Sequence, residues 1–201
     1  GQEFGDVEAD SAGTDQRHAR ADRPVGPRVA LIGAGGIGFD VAEFLTQAQP
    51  SPTTDVARWS HEWGVDIQYR SRGALAKPAP EASERTVWLL QRTPGKPGER
   101  LNKTTGWVHR AALKAKGVTM LAGVDYRRID DDGLHIVRGG NEEVLAVDTI
   151  VLCAGQEPNR SCRDDAAALG IRTHVIGGAD VAAELDAKRA IAQGTRLAAS
   201  L

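Results

Sequence analysis

Apolar positions along the chain fall into runs of two kinds. "RVALIG", "TVWLLQR", "GVTML" and "TIVLCAG" are continuous and of strand length, the pattern of strands buried on both faces. After the first of them, Gly36 to Gln47 is predicted as a helix, with Ile37, Val41, Phe44 and Leu45 at the spacing of one buried face. Pro50 and Pro52 end it. A second helix is predicted over Val56 to Trp63, placing Trp59 and Trp63 on one side, and a third from about Trp107 to Lys116. "VDYRRID", "GLHIVR" and "EEVLAVD", separated by "DDG" and "GGN", predict a three-stranded antiparallel meander. "THVIGGAD" predicts one more strand, and Val181 to Leu201 a closing amphipathic helix. The sum is an α/β fold: a Rossmann-like dinucleotide-binding domain, with a parallel sheet plus that meander.

Two stretches stand outside this rhythm. Residues 1–27 hold almost no large apolar side chains and are expected to be a flexible lead or linker. Residues 51–85 interrupt the first strand–helix–strand crossover with a polar, Pro- and Ala-rich excursion, read as an insertion.

Composition narrows the class. A formal net charge of -2 over 201 residues leaves no electrostatic footprint for nucleic acid or an anionic membrane. No apolar run approaches the roughly 20 residues of a bilayer span, and the first residues lack a signal peptide's apolar core. Cys153 and Cys162 are too few for a disulfide framework or an iron–sulfur ligand set, so a cytoplasmic location is expected. Asn102 and Asn159 fit the glycosylation pattern, which means little without export.

The chemistry starts at "LIGAGGIGFD". Gly33, Gly35 and Gly38 fit G-x-G-x-x-G between a strand and a helix, the context that makes the pattern a dinucleotide fingerprint. Gly33 permits the tight turn, Gly35 the approach of a pyrophosphate, and Gly38 the packing of helix on strand. With Gly36 and Ile37 they form a candidate cradle, where unpaired N–H groups and the helix dipole favour negative charge. The end of the second strand, where NAD-binding units carry an acid, holds Gln91 and Arg92 instead. A guanidinium pairs with a 2′-phosphate and a carboxylate repels it, so NADPH is favoured over NADH, with Lys96 and Lys103 adding charge.

These residues, with "EWGVD", "KPGERLNKTTGWVHR", "DDDGLHIV", "VLCAGQEPNR" and "ELDAKRAIAQGTRLA", resemble the pyridine-nucleotide domains of two-dinucleotide flavoproteins. More narrowly, from about Val25 to Leu201 the chain is similar to the C-terminal third of bacterial NADPH-dependent 2,4-dienoyl-CoA reductases, iron–sulfur flavoproteins. "KTTGWVHR" and "AGQEPNR" are the most specific parts. The resemblance implies that 28–155 bind NADPH and that 156–201 are a remnant of the FAD-binding domain. It implies a flavin role for Asp180 and for the helix start at Asp186, Ala187 and Lys188, and places Ala154, Gly155 and Gln156 between the two cofactors. It also implies that FMN, a 4Fe–4S cluster and the remaining domains of the same polypeptide carry the substrate chemistry. No catalytic residue and no metal ligand is expected in this chain.

Other residues take plainer readings. His109 is expected packed or at the surface, Cys153 inert in the core, "DDDG" a hairpin turn, and Glu62 and Asp66 solvated acids. Two alternatives stay open: a non-catalytic nucleotide-binding domain of a related amine-dehydrogenase-type flavoprotein, and an incomplete piece without activity.

Overall fold

The computed structural model describes residues 8–9, 24–48, 50–183 and 187–201. They divide into two compact units, Gly1–Ala154 and Gly155–Leu201.

The first unit is built on a parallel sheet in which β2 (Arg28–Ile32) pairs with β3 (Thr86–Leu90) on one side and with β8 (Thr149–Leu152) on the other. β4 (Thr119–Leu121) adds to the far side of β3. Alternate residues of β2 serve opposite faces, which is why its apolar run is unbroken. Val29 and Leu31 join a core with Phe39, Leu45, Val87, Leu89 and Leu113 beneath two helices, α1 (Gly36–Thr46) and α3 (Gly106–Ala115). Ala30 and Ile32 face the other way, into a core with Leu90, Val124, Leu134, Ile136 and Leu145. Full burial of side chains such as Phe39, Leu31 and Leu89 contributes roughly 1.5–3 kcal/mol each.

That second face is covered by the meander: β5 (Val124–Asp130), β6 (Gly133–Arg138) and β7 (Asn141–Leu145), paired antiparallel. The pair Asp130↔Gly133 closes one hairpin and Arg138↔Asn141 the other. Gly139 and Gly140 between them have φ of +59° and +82°, as a hairpin turn with two left-handed residues requires. Within the expected flexible lead, β1 (Glu8–Ala9) pairs parallel to β5 at Arg128 and Ile129; most of that lead lies outside the described residues.

The helix of the insertion, α2 (Val56–Trp63), forms where expected. Asp55 caps it by accepting from the Arg58 N–H at 3.0 Å, and Gly64 ends it at φ +67°. The Trp59 and Trp63 rings lie 6.1 Å apart. Glu62 corrects its reading as a solvated acid: it is buried and ion-paired with Lys116, the residue that follows α3. Asp66 accepts from the N–H groups of Gln68 and Ser71 at 3.1 and 2.7 Å, and those bonds hold its carboxyl below the usual range.

The buried face of α1 is also corrected. Ile37 and Phe44 are 49% and 69% exposed, while Gly38, Phe39, Ala42, Leu45 and Thr46 face inward. The missing side chain at Gly38 lets the helix approach the sheet on that line, and this turns the i, i+4, i+7 stripe partly outward.

In the second unit, α4 (Ser161–Ala168) and α5 (Ala187–Ser200) flank a short 3₁₀ turn at Gly177–Ala179. The strand predicted from "THVIGGAD" does not form: Ile171–Ile176 is irregular and Gly177–Ala179 is that turn. A strand exists through the ladder it shares, and no described residue pairs with this one. The closing helix starts at Ala187 rather than at Val181.

Candidate functional site

The C-terminal ends of β2, β3 and β8 meet at Gly33. Its N–H donates to the Leu90 carbonyl at 2.9 Å, and the Cys153 N–H donates to Ile32 at 2.8 Å. In an open parallel sheet this edge is where ligands bind.

The glycines here answer to different demands. Gly33 has φ +119°, and a Cβ there would stand 2.7 Å from the Cys153 carbonyl. At Gly38 a Cβ would be driven into the Gly33 carbonyl oxygen and come within 3.3 Å of the Leu89 side chain. Both glycines are required by the chain itself. Gly35 is not: its φ and ψ of -87° and -172° suit any residue, and a Cβ would meet nothing within 4 Å. Gly36 is equally open. The chain leaves clear space in front of the first turn of α1, whose N-cap offers no side-chain hydrogen bond and whose first turn holds no acid. An anion is the natural occupant of that space.

Gln91 and Arg92 leave the same sheet edge. The Gln91 amide donates to the Thr93 and Gly95 carbonyls at 3.0 and 3.3 Å, so it shapes the turn that carries Arg92. Arg92 is exposed. The loop beyond packs against α1: Gly98, at φ +73°, has room for no Cβ because the Phe39 ring would lie 2.5 Å away. Arg110 donates to the Gly98 carbonyl at 2.8 Å. Asn102 accepts from the Thr104 N–H at 2.9 Å, a local turn that presents Lys103 to solvent. The structure thus brings Gly33, Gly35, Gly36, Ile37, Gly38, Gln91 and Arg92 to one edge, with the Lys103 loop folded on α1.

Ala154 is exposed just beyond β8. In the second unit Gly155 has φ +82°, and Gln156 lines a cavity of about 390 Å³ with Glu157, Asn159, Gly178 and Ala179. Asp180 is half-buried and does not cap a helix start. Its carboxylate accepts from the Gln193 amide at 2.9 Å, whose oxygen accepts from the Gly177 N–H at 2.7 Å. Arg160 donates to the Ala179 and Asp180 carbonyls at 2.8 and 2.6 Å. Ala187 and Lys188 are exposed at the start of α5; Asp186 lies outside the described residues.

His109 faces Glu43 of α1 at 3.4 Å. Burial raises the Cys153 thiol, which disfavours a thiolate nucleophile. "DDDG" is the β5–β6 turn, where the Asp130 carboxylate is engaged by His135, the Asp132 N–H and Arg128. Sequence reasoning passed over Tyr126: its phenol oxygen is shut away from solvent with no hydrogen-bond partner among the described residues, and burial pushes its pKa up to about 12. An aromatic in an alternating strand reads as packing, and nothing in the pattern marks its oxygen as an orphan.

A parallel sheet, a glycine turn opening a helix, and a covering meander define a dinucleotide-binding protein of the Rossmann type. Over residues 4–188 the chain matches the pyridine nucleotide-disulphide oxidoreductase family, and it belongs to that family. Membership implies use of a pyridine nucleotide and FAD. Among solved structures it is similar to 2-naphthoyl-CoA reductase, in a complex with 2-naphthoyl-CoA, at 16% identity and a TM-score of 0.55 over 79% of this chain and 19% of that one. It is likewise similar to histamine dehydrogenase from Rhizobium sp. 4-9, at 15% identity and a TM-score of 0.55 over 92% of this chain and 24% of that one. Both likenesses are of fold. The chain spans 19% and 24% of the length of those two proteins. No helix among the described residues is long and apolar enough to cross a membrane.

Proposed function

We propose that this chain is the NADPH-binding electron-input module of a flavoprotein oxidoreductase, and that the whole enzyme reduces 2,4-dienoyl-CoA thioesters in unsaturated fatty acid breakdown. The observation that carries the nucleotide reading is Gly35, a glycine that neither backbone conformation nor packing requires. The narrower substrate reading rests on "KTTGWVHR" and "AGQEPNR".

When bound, NADPH supplies a hydride to FAD. The chain's own part is binding and orientation. Gly33 makes the turn, the open backbone at Gly35 and Gly36 admits the pyrophosphate, and the N–H groups from Gly36 to Gly38 hold it. Arg92 pairs with the 2′-phosphate, with Lys103 adding positive charge and Gln91 fixing the turn. Ala154, Gly155 and Gln156 serve the junction of the two cofactors, and Asp180, Asp186, Ala187 and Lys188 the flavin. In this reading 28–155 form the NADPH domain, with 51–85 inserted, and 156–201 belong to the FAD domain. FMN, a 4Fe–4S cluster and the acyl-CoA site belong to other parts of the polypeptide, so the isolated chain reduces no thioester.

Calorimetry with both nucleotides tests the reading. NADPH is expected to bind more tightly than NADH, and Arg92→Ala to remove roughly 1.5–3 kcal/mol of that preference. Equal affinities in the unsubstituted chain would sink the NADPH assignment; no binding of either nucleotide would favour the alternative of an incomplete piece without activity.

A further inference from the structure

The turn that carries Arg92 is stitched to the start of the meander. The Val124 N–H donates to the Gln91 carbonyl at 3.1 Å, and the Gly123 N–H to that of Thr93 at 3.2 Å. Two residues along β5, Tyr126 packs against the core that includes Leu90 and Val124. Its position is set by a bulge: the pairing passes from Tyr126↔Ile136 to Arg128↔His135, leaving Arg127 unmatched. A bulge re-aims the side chains beside it.

The phenol oxygen ends in an unusual place. It is out of solvent and has no hydrogen-bond partner among the described residues. Arg92 is close enough for its charge to act on the phenol, favouring the phenolate against the larger opposing effect of burial. The proton nevertheless stays on, so Tyr126 is a donor at physiological pH. A guanidinium has only donors and cannot take that proton. The missing partner is therefore an acceptor brought from outside, and an oxyanion beside Arg92 suits both groups.

We propose that the Tyr126 hydroxyl is a specificity-determining donor to the adenosine 2′-phosphate, acting beside Arg92. The inference rests on the NADPH reading and deepens it. Reaching the hydroxyl requires the side chains around it to part, and Arg92, exposed on the turn stitched to the start of β5, is one that the phosphate itself would draw. The 2′-hydroxyl of NADH, being neutral, is a weaker acceptor than a phosphate. Tyr126 thus separates the two nucleotides rather than strengthening both.

The test is Tyr126→Phe in the full chain, titrated calorimetrically with NADPH, NADH, 2′,5′-ADP and 5′-AMP. Loss of one oxygen is expected to weaken NADPH and 2′,5′-ADP about 10-fold and to leave NADH and 5′-AMP unchanged. The melting temperature should not fall, since the oxygen has no partner among the described residues to lose. Equal weakening of all four ligands would reduce Tyr126 to a structural role and overturn the proposal. So would unchanged affinities, which would assign the proton to water. If the unsubstituted chain shows no preference for NADPH, the parent reading fails and this inference with it. If the preference persists intact in Tyr126→Phe, only this inference fails.

Discussion

In Gly1–Ala154 the central strands of the parallel sheet carry fully buried apolar residues, with Val29, Leu31 and Leu89 at 0% exposure; in Gly155–Leu201, Ala182 is the one hydrophobic side chain among the described residues to be buried. Leu169 and Ile191 there are 76% and 67% exposed. What orders the second unit is polar: the Gln193 amide between Gly177 and Asp180, and the Arg160 guanidinium on two carbonyls. A typical hydrogen bond contributes about 1 kcal/mol net, less than one buried Leu or Phe. The difference teaches that shape and rigidity have separate origins. Asp180 is held in a defined geometry by bonds that open singly, whereas the glycine turn stands on a core that opens only as a whole.

Hydrogen exchange gives the comparison its largest expected signal. Amides of β2 and β3 should exchange only through global unfolding, and those of α5 through local opening, at rates on the order of 1000-fold faster or more. Comparable protection in α5 and β2 would break the contrast.

Gly38→Ala set against Gly35→Val sharpens it within the first unit. The new Cβ at Gly38 meets backbone, so the variant should lose about 3 kcal/mol and melt roughly 6–12 °C lower. Gly35→Val should melt near the unsubstituted chain, as shown by thermal circular dichroism, and lose nucleotide binding. A Gly35 variant that unfolds would mean that this glycine also belongs to the core.

Acid provides the smallest effect. Asp148 is held below the usual carboxylate range by Arg28, whose guanidinium and N–H donate to it, and Glu81 by Arg58. Asp66 is lowered by backbone N–H groups. A carboxyl whose folded pKa is depressed stabilises above its unfolded value, near 4, and loses that contribution as pH falls through the folded value. All three lie in the first unit, so its unfolding midpoint in urea should hold from pH 7 to about 5 and decline below about 4. A midpoint that rises on acidification would contradict these pairings.

Much of this was legible along the chain. Continuous apolar runs mark β2, β3 and β8 because both faces of the sheet are covered, and "DDG" and "GGN" mark hairpins because turn geometry is local. The face of α1 was misread because amphipathic spacing records apolar residues, whereas the helix packs on the line where a side chain is missing, at Gly38. α4, "SCRDDAAA", has no buried residue, so there was no periodicity to see. "THVIGGAD" is locally strand-like, but a ladder depends on a partner that local pattern does not record. At the candidate site the glycines and Arg92 stood out by motif. The orphaned hydroxyl of Tyr126 depends on the bulge and the stitched turn, both products of tertiary structure.

The excursion between α1 and β3 hangs from its own fastenings. Arg58 grips Glu81 across it, Lys116 reaches both Glu62 and the Glu81 carbonyl, and Arg85 donates to the Leu45 carbonyl. β2 and β3 meanwhile keep an uninterrupted register from Arg28↔Thr86 to Ile32↔Leu90. Lengthening a connection adds only about 0.6 kcal/mol of closure entropy per doubling. The segment therefore behaves as an exchangeable cassette, able to be shortened, swapped or redecorated over generations while the glycine turn on the far side of the helix goes on meeting the same sheet edge.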